Sequence, residues 1–165
     1  RDLHSFPTRR SSDLITILRP GAITREMLAE IGPVDVVSQS FEPDHIPAAP
    51  GMKYVHYAPR AQVSLYVGQA IQKIPDAVLN LQQKGGAVAV VAFEDTLSGI
   101  DNGVVKMPLG ERGQIDVAAK RLYAYLREAD HLSLDHILVE GIEPEGLGEA
   151  LMNRLTKAAT HVFGG

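Results

Sequence analysis

Ala87-Val88-Ala89-Val90-Val91-Ala92-Phe93 decides the fold of this chain. Seven consecutive apolar residues, set between Gly85-Gly86 and Glu94-Asp95, leave no polar face to turn toward water. A strand of that composition is covered on both sides, the condition of a parallel sheet packed between helices. Just before it, Asp76–Lys84 carries apolar residues at 77, 78, 79 and 81, which predicts a helix with one buried side. Gly85-Gly86 then suits a left-handed helix stop. Further out, Val63–Val67 reads as a strand, Val104–Leu109 as a short one and His136–Glu140 as another. Gln114–Ala129 predicts a long helix with Ile115, Ala118, Ala119, Leu122, Tyr123 and Leu126 along one stripe. Gly148–Thr160 predicts the last helix, with Ala150, Leu151, Leu155 and Ala158 facing inward. Strands alternate with helices, so the expected fold class is α/β: a small parallel-sheet sandwich over residues 62–165.

Upstream the pattern changes. Ile15–Leu18 is a β-branched run closed by Arg19-Pro20-Gly21, a strand and a turn. Thr24 can cap a short helix over Arg25–Ile31, which Gly32-Pro33 stops. Residues 34–61 hold no lasting apolar period, and prolines recur at 43, 47, 50 and 59. A stretch of that length without periodicity reads as a functional strap or an interdomain linker. Residues 1–14 (RDLHSFPTRRSSDL) show neither helical nor strand periodicity, and no apolar core of a secretory signal follows their basic residues. They resemble a translated sequencing-adapter tract and are set aside as non-native.

Composition narrows the function. A net charge of −4 over 165 residues argues against a broad electrostatic footprint for nucleic acid or anionic membrane. The absence of cysteine excludes disulfides, thiolate metal sites and a thiol nucleophile, and fits a reducing cytoplasm. No apolar run approaches the roughly 20 residues needed to span a bilayer.

The densest chemistry lies at residues 50–60, PGMKYVHYAPR. Prolines at both ends favour an extended strap, and between them lie Lys53, Tyr54, His56 and Tyr57, cations and flat rings of the kind that grip phosphates and bases. A linker whose aromatics merely pin it to a neighbouring surface is the competing reading. Other constellations carry less. Gly146-Leu147-Gly148 stands between a strand and a helix, but without a GK[ST] continuation it reads as a turn before it reads as a phosphate loop. Asp130-His131-Leu132-Ser133-Leu134-Asp135-His136 has metal-ligand residue types, yet it straddles a helix end and a strand start, so a solvated connection is favoured. Arg154 reads as a helix-packing arginine more readily than as an anion ligand.

Three pieces, in this order, resemble the long, two-domain form of L-threonylcarbamoyladenylate synthase, the Sua-type relative of the YrdC-like proteins. They are LRPGAIT at 18–24, PGMKYVHYAPRA at 50–61 and GLGEALMNRLTKAA at 146–159. The middle one is the most specific. The resemblance implies that residues 15–33 are the C-terminal remnant of a YrdC-like catalytic domain, 34–61 the long extended interdomain linker and 62–165 a Rossmann-like C-terminal accessory domain. It implies an enzyme that makes threonylcarbamoyl-AMP from threonine, bicarbonate and ATP with Mg2+, releasing pyrophosphate, for tRNA modification in the cytoplasm, with other tRNA-modification proteins as partners. It further implies that Arg19 contacts ATP and that the strap folds over the active-site mouth, bringing Lys53, Tyr54, His56 and above all Tyr57 to the nucleotide.

Two departures bear on this. Val55 stands where the family usually has a basic residue, and the family's lysine-x-arginine and serine-x-asparagine motifs have no counterpart in residues 1–14. The chain is therefore expected to be catalytically inactive without its parent. The alternative is a non-catalytic regulatory module, or a Rossmann-like domain that binds a nucleotide by itself.

Overall fold

The computed structural model describes residues 14–18, 20–36 and 59–164, which fall into two compact units on either side of residues 53 and 54. In the first, β1 (Ile15–Ile17) and β2 (Val34–Val36) pair in parallel, with α1 (Arg25–Ala29) between them in sequence. Thr24 is the N-cap of α1, its hydroxyl accepting the Met27 N–H at 3.4 Å, as its place before the helix predicts. Strand β2 was not expected: Val-Asp-Val is too short to show a period, and its partner β1 supplies the order.

The second unit is a five-stranded sheet. It runs β3 (Gln62–Tyr66), a 3₁₀ stretch (Gly68–Lys73), α2 (Ile74–Gln83), β4 (Val88–Ala92), α3 (Glu94–Ser98) and β5 (Val105–Pro108). Then follow α4 (Ile115–Glu128), β6 (His136–Glu140), α5 (Leu147–Ala158) and β7 (His161–Phe163). The strand order is β5-β4-β6-β3-β7 and every pairing is parallel. All five residues of β4 are buried. The alternation along it explains why: Ala89 and Val91 join a core with Val63, Leu65, Ile137 and Val139, under Leu122 and Leu126 of α4 and Leu151 and Leu155 of α5. Val88, Val90 and Ala92 join a second core with Leu138, under Ile74 and Val78 of α2 and Leu97 of α3. Helices therefore cover both faces, the α/β sandwich that the apolar run implies.

The ends of α2 show local rules at work. Pro75 sits in its first turn, where the missing N–H costs nothing, so the helix begins before Asp76. At its other end the Gly86 N–H donates to the Leu81 carbonyl and the Gly85 N–H to the Gln82 carbonyl, with Gly85 at φ +80°. These are the two bonds of a Schellman stop, which requires the left-handed residue that glycine supplies. Leu79, read as inward, is 47% exposed. Pro108 is tolerated in β5 because β5 is an edge of the sheet. Neither α3 nor β7 was expected; each is too short for its pattern to be seen.

Candidate functional site

Arg19, Lys53, Tyr54, His56 and Tyr57 lie outside the described residues. What the structure describes is the downstream end of the strap and both ends of the sheet that receives it.

At the carboxyl ends of the strands, β4 and β6 are neighbours whose outgoing connections part. β4 leads through α3 to β5 on one side, and β6 leads through α5 to β7 on the other. Such a divergence is the switch point where doubly wound sheets take their ligands. Here it holds Glu140, the last residue of β6 and fully buried. One Glu140 oxygen accepts the Phe93 N–H at 3.0 Å, and the other accepts Nη2 of Arg112. Arg112 comes from the β5–α4 connection, donates through Nε to Asp95 at 2.7 Å and through Nη2 to the Thr96 hydroxyl at 3.2 Å, and lies over the Phe93 ring. Burial works against the Arg112 cation, but hydrogen bonds to Asp95 and Glu140 outweigh it and push its pKa up. The same guanidinium, through its hydrogen bond, draws the Asp95 carboxyl below its ordinary range. The crevice is thus filled by an internal charge network that ties the end of β6, the start of α3 and the β5–α4 connection together. Sequence reasoning missed it; the available signal was Glu140, a carboxylate closing the apolar run Ile137-Leu138-Val139.

Gly146-Leu147-Gly148 serves packing. A Cβ on Gly148 would overlap the Glu143 carbonyl, and the Gly148 N–H is taken by the Glu145 carbonyl at 2.8 Å. That amide is committed internally and is not offered to an anion. Arg154 lies over the Tyr123 ring at 5.5 Å, joining α5 to α4 as the helix-packing reading has it.

At the amino ends of the strands the chain arrives from the strap. Pro59 and Ala61 are buried, and the Arg60 N–H donates to Asp130 Oδ1 at 2.8 Å. The Gln62 N–H then donates to the Asp135 carbonyl, and the Asp135 carboxylate accepts the Ala87 N–H at 2.8 Å. Both aspartates of the 130–136 segment therefore bind backbone amides. Among the described residues no three His, Asp or Glu side chains converge to hold a metal ion. An open groove of about 620 Å3 lies here, with Arg60, Gln62, Lys84 and His136 on its walls. The His136 ring approaches so closely to Gly86 that a Cβ there would stand 3.1 Å from it. Among the described residues no helix is long and apolar enough to cross a membrane.

Comparison with known proteins agrees with this architecture. Residues 23–160 match the family described as threonylcarbamoyl-AMP synthase, C-terminal domain. The threonylcarbamoyl-AMP synthase of Bacillus subtilis is 37% identical over 150 residues, which cover 90% of this chain and 43% of that protein. The crystal structure of Pyrococcus abyssi Sua5 complexed with L-threonine superposes with a TM-score of 0.73 at 31% identity, covering 90% of this chain and 43% of that one. A second structure of that archaeal protein, TM-score 0.75 and 30% identity over 90% of this chain and 42% of that one, carries alanines in place of an adjacent histidine and tyrosine. The C-terminal Sua5 domain from Pyrococcus horikoshii, a chain matched over 98% of its length, covers 64% of this one at 31% identity and a TM-score of 0.50. The chain spans about two-fifths of the length of the B. subtilis and P. abyssi proteins.

Proposed function

Because the chain belongs to the threonylcarbamoyl-AMP synthase C-terminal domain family, we propose that it is the C-terminal part of an enzyme making L-threonylcarbamoyladenylate. The reaction joins threonine, bicarbonate and ATP, releases pyrophosphate, and supplies the t6A modification at adenosine 37 of tRNA in the cytoplasm, where other tRNA-modification proteins would meet the product. On this reading residues 15–33 close a YrdC-like catalytic domain, 34–61 link it to the sheet, and 62–165 form the accessory domain.

The strap carries the proposal. His56-Tyr57 is the one adjacent His-Tyr pair in the sequence. Replacement of such a pair in the archaeal relative supports a role for these two rings. Tyr57, His56 and Tyr54 would lie against the nucleotide, while Lys53 and Arg19 would meet its phosphates, where cations stabilise charge on departing pyrophosphate. A strap over the mouth also keeps water from a labile carboxylated threonine. Val55, in place of a basic residue, leaves Lys53 and Arg60 as the flanking cations. Magnesium would accompany ATP, held chiefly by its phosphates; among the described residues no three His, Asp or Glu side chains converge to hold it.

The test compares this chain with the same chain joined to an upstream YrdC-like domain, each given ATP, threonine, bicarbonate and magnesium. Product is expected from the joined protein alone. Product from the isolated chain would overturn the expected inactivity, and none from the joined protein would overturn the function. In the joined protein Tyr57→Ala is expected to raise KM for ATP about tenfold, in line with one lost stacking contact.

A further inference from the structure

Asp130 is the chemistry-bearing group that neither the crevice nor the packing of the sheet explains. It stands just past α4, and its Oδ1 accepts the N–H of Arg60, a residue 70 positions upstream. The β3 ladder does not need that bond. Pairing begins at Gln62, whose register partner is His136 and whose own N–H goes to the Asp135 carbonyl. Without Asp130 the Arg60 N–H would turn to water, and the sheet would keep every ladder bond. The bond instead governs direction. Pro59 has no N–H to give, and Ala61 is buried in the same core as Ala129 and Leu134. Between these two buried residues, the Arg60–Asp130 bond fixes how the backbone leaves the sheet surface. Tyr57 lies three residues upstream in sequence.

We infer that Asp130 is a positioning residue: by accepting the Arg60 N–H it fixes the point from which the preceding chain departs, and in the intact enzyme that point sets the affinity for ATP. The inference rests on the function proposed above and adds to it an accessory-domain group that acts on a ligand it does not touch. Orientation is the physical basis, since a small misplacement of a ligand-holding group costs binding steeply. The bond joins a charged acceptor to a backbone donor, a stronger class than neutral pairs, although its exposure to water reduces the effect.

The first arm uses this chain and measures amide hydrogen exchange. Asp130→Ala should speed exchange at Arg60 roughly tenfold, and Asp130→Asn, which keeps an acceptor at the same reach, should restore most of the protection. Exchange at Gln62 should not change. The second arm uses the chain joined to the catalytic part of the B. subtilis relative. There Asp130→Ala should raise KM for ATP by roughly three- to tenfold while kcat stays within about twofold, with Asp130→Asn near wild type. Should Asp130→Ala fail to fold, Asp130→Asn and Asp130→Gln carry the same comparison, the second displacing the acceptor by one methylene. Unchanged exchange at Arg60, or an unchanged KM for ATP in a folded variant, overturns the inference. A wild-type fusion that makes no product overturns the proposed function instead, and the exchange arm still decides whether Asp130 holds the chain.

Discussion

Arg112 and Glu140 form a pair with unequal exposure: the carboxylate is sealed in the sheet, while about half of the arginine side chain meets water. Among the described residues, removing the arginine leaves a buried charge held only by the Phe93 N–H. Severing a fully buried pair costs about 3–5 kcal/mol, and the half-exposed arginine brings the expectation for Arg112→Ala down to about 2 kcal/mol. Urea denaturation checks this, with Glu140→Gln losing less because its amide oxygen still accepts from Phe93. Asp95 adds a pH signature. Its folded-state pKa lies below the unfolded value, so its contribution is complete above about pH 4 and is lost as pH falls through the folded-state value. Arg112→Ala should flatten that acid limb of the stability profile. Tyr66 works with the opposite sign. Burial raises its pKa, so above about pH 10 the unfolded chain loses the proton first and stability falls as pH rises toward the folded-state value. Tyr66→Phe should remove that alkaline loss while keeping the ring stacked on Phe163. At this scale sequence reading reached residue types but not partners. Arg112 and Glu140 stand 28 positions apart, and nothing local joins them.

Elements were legible where length or chemistry made them so. The continuous apolar run of β4, the stripe of α4 and the glycine stop of α2 each follow from a rule that acts within a few residues. Strands β2 and β7 and helix α3 span three to five residues, too few for a period, and exist because a neighbour completes them. β7 is exposed throughout, so burial patterning could not mark it; its order comes from the β3 ladder and from Phe163 against Tyr66. Two glycines separate conformation from space. Gly85→Ala keeps room for a methyl but pays for a positive φ, and about 1 kcal/mol is expected. Gly148→Ala meets the Glu143 carbonyl and must push the β6–α5 loop aside, so a larger loss, about 2–3 kcal/mol, is expected. Denaturation midpoints of the two variants, compared side by side, test the order.

At the scale of the molecule, among the described residues both cores of the sheet unit draw only on residues of that unit. A chain cut to residues 54–165 should therefore unfold cooperatively, with a melting midpoint close to that of the full sequence by scanning calorimetry. The solved archaeal domain, matched over 98% of its own length, agrees with such independence. A broad, non-cooperative transition in the shorter chain would contradict it.

The place of β3 in the sheet has a mechanical consequence. It is an interior strand, flanked by β6 and β7, and the strap joins it at its amino end. Tension along the strap would load both ladders in shear, with all their bonds resisting together, whereas a tether on an outermost strand could be peeled away one bond after another. The sheet is a stiff mount for the chain that enters it at Gln62.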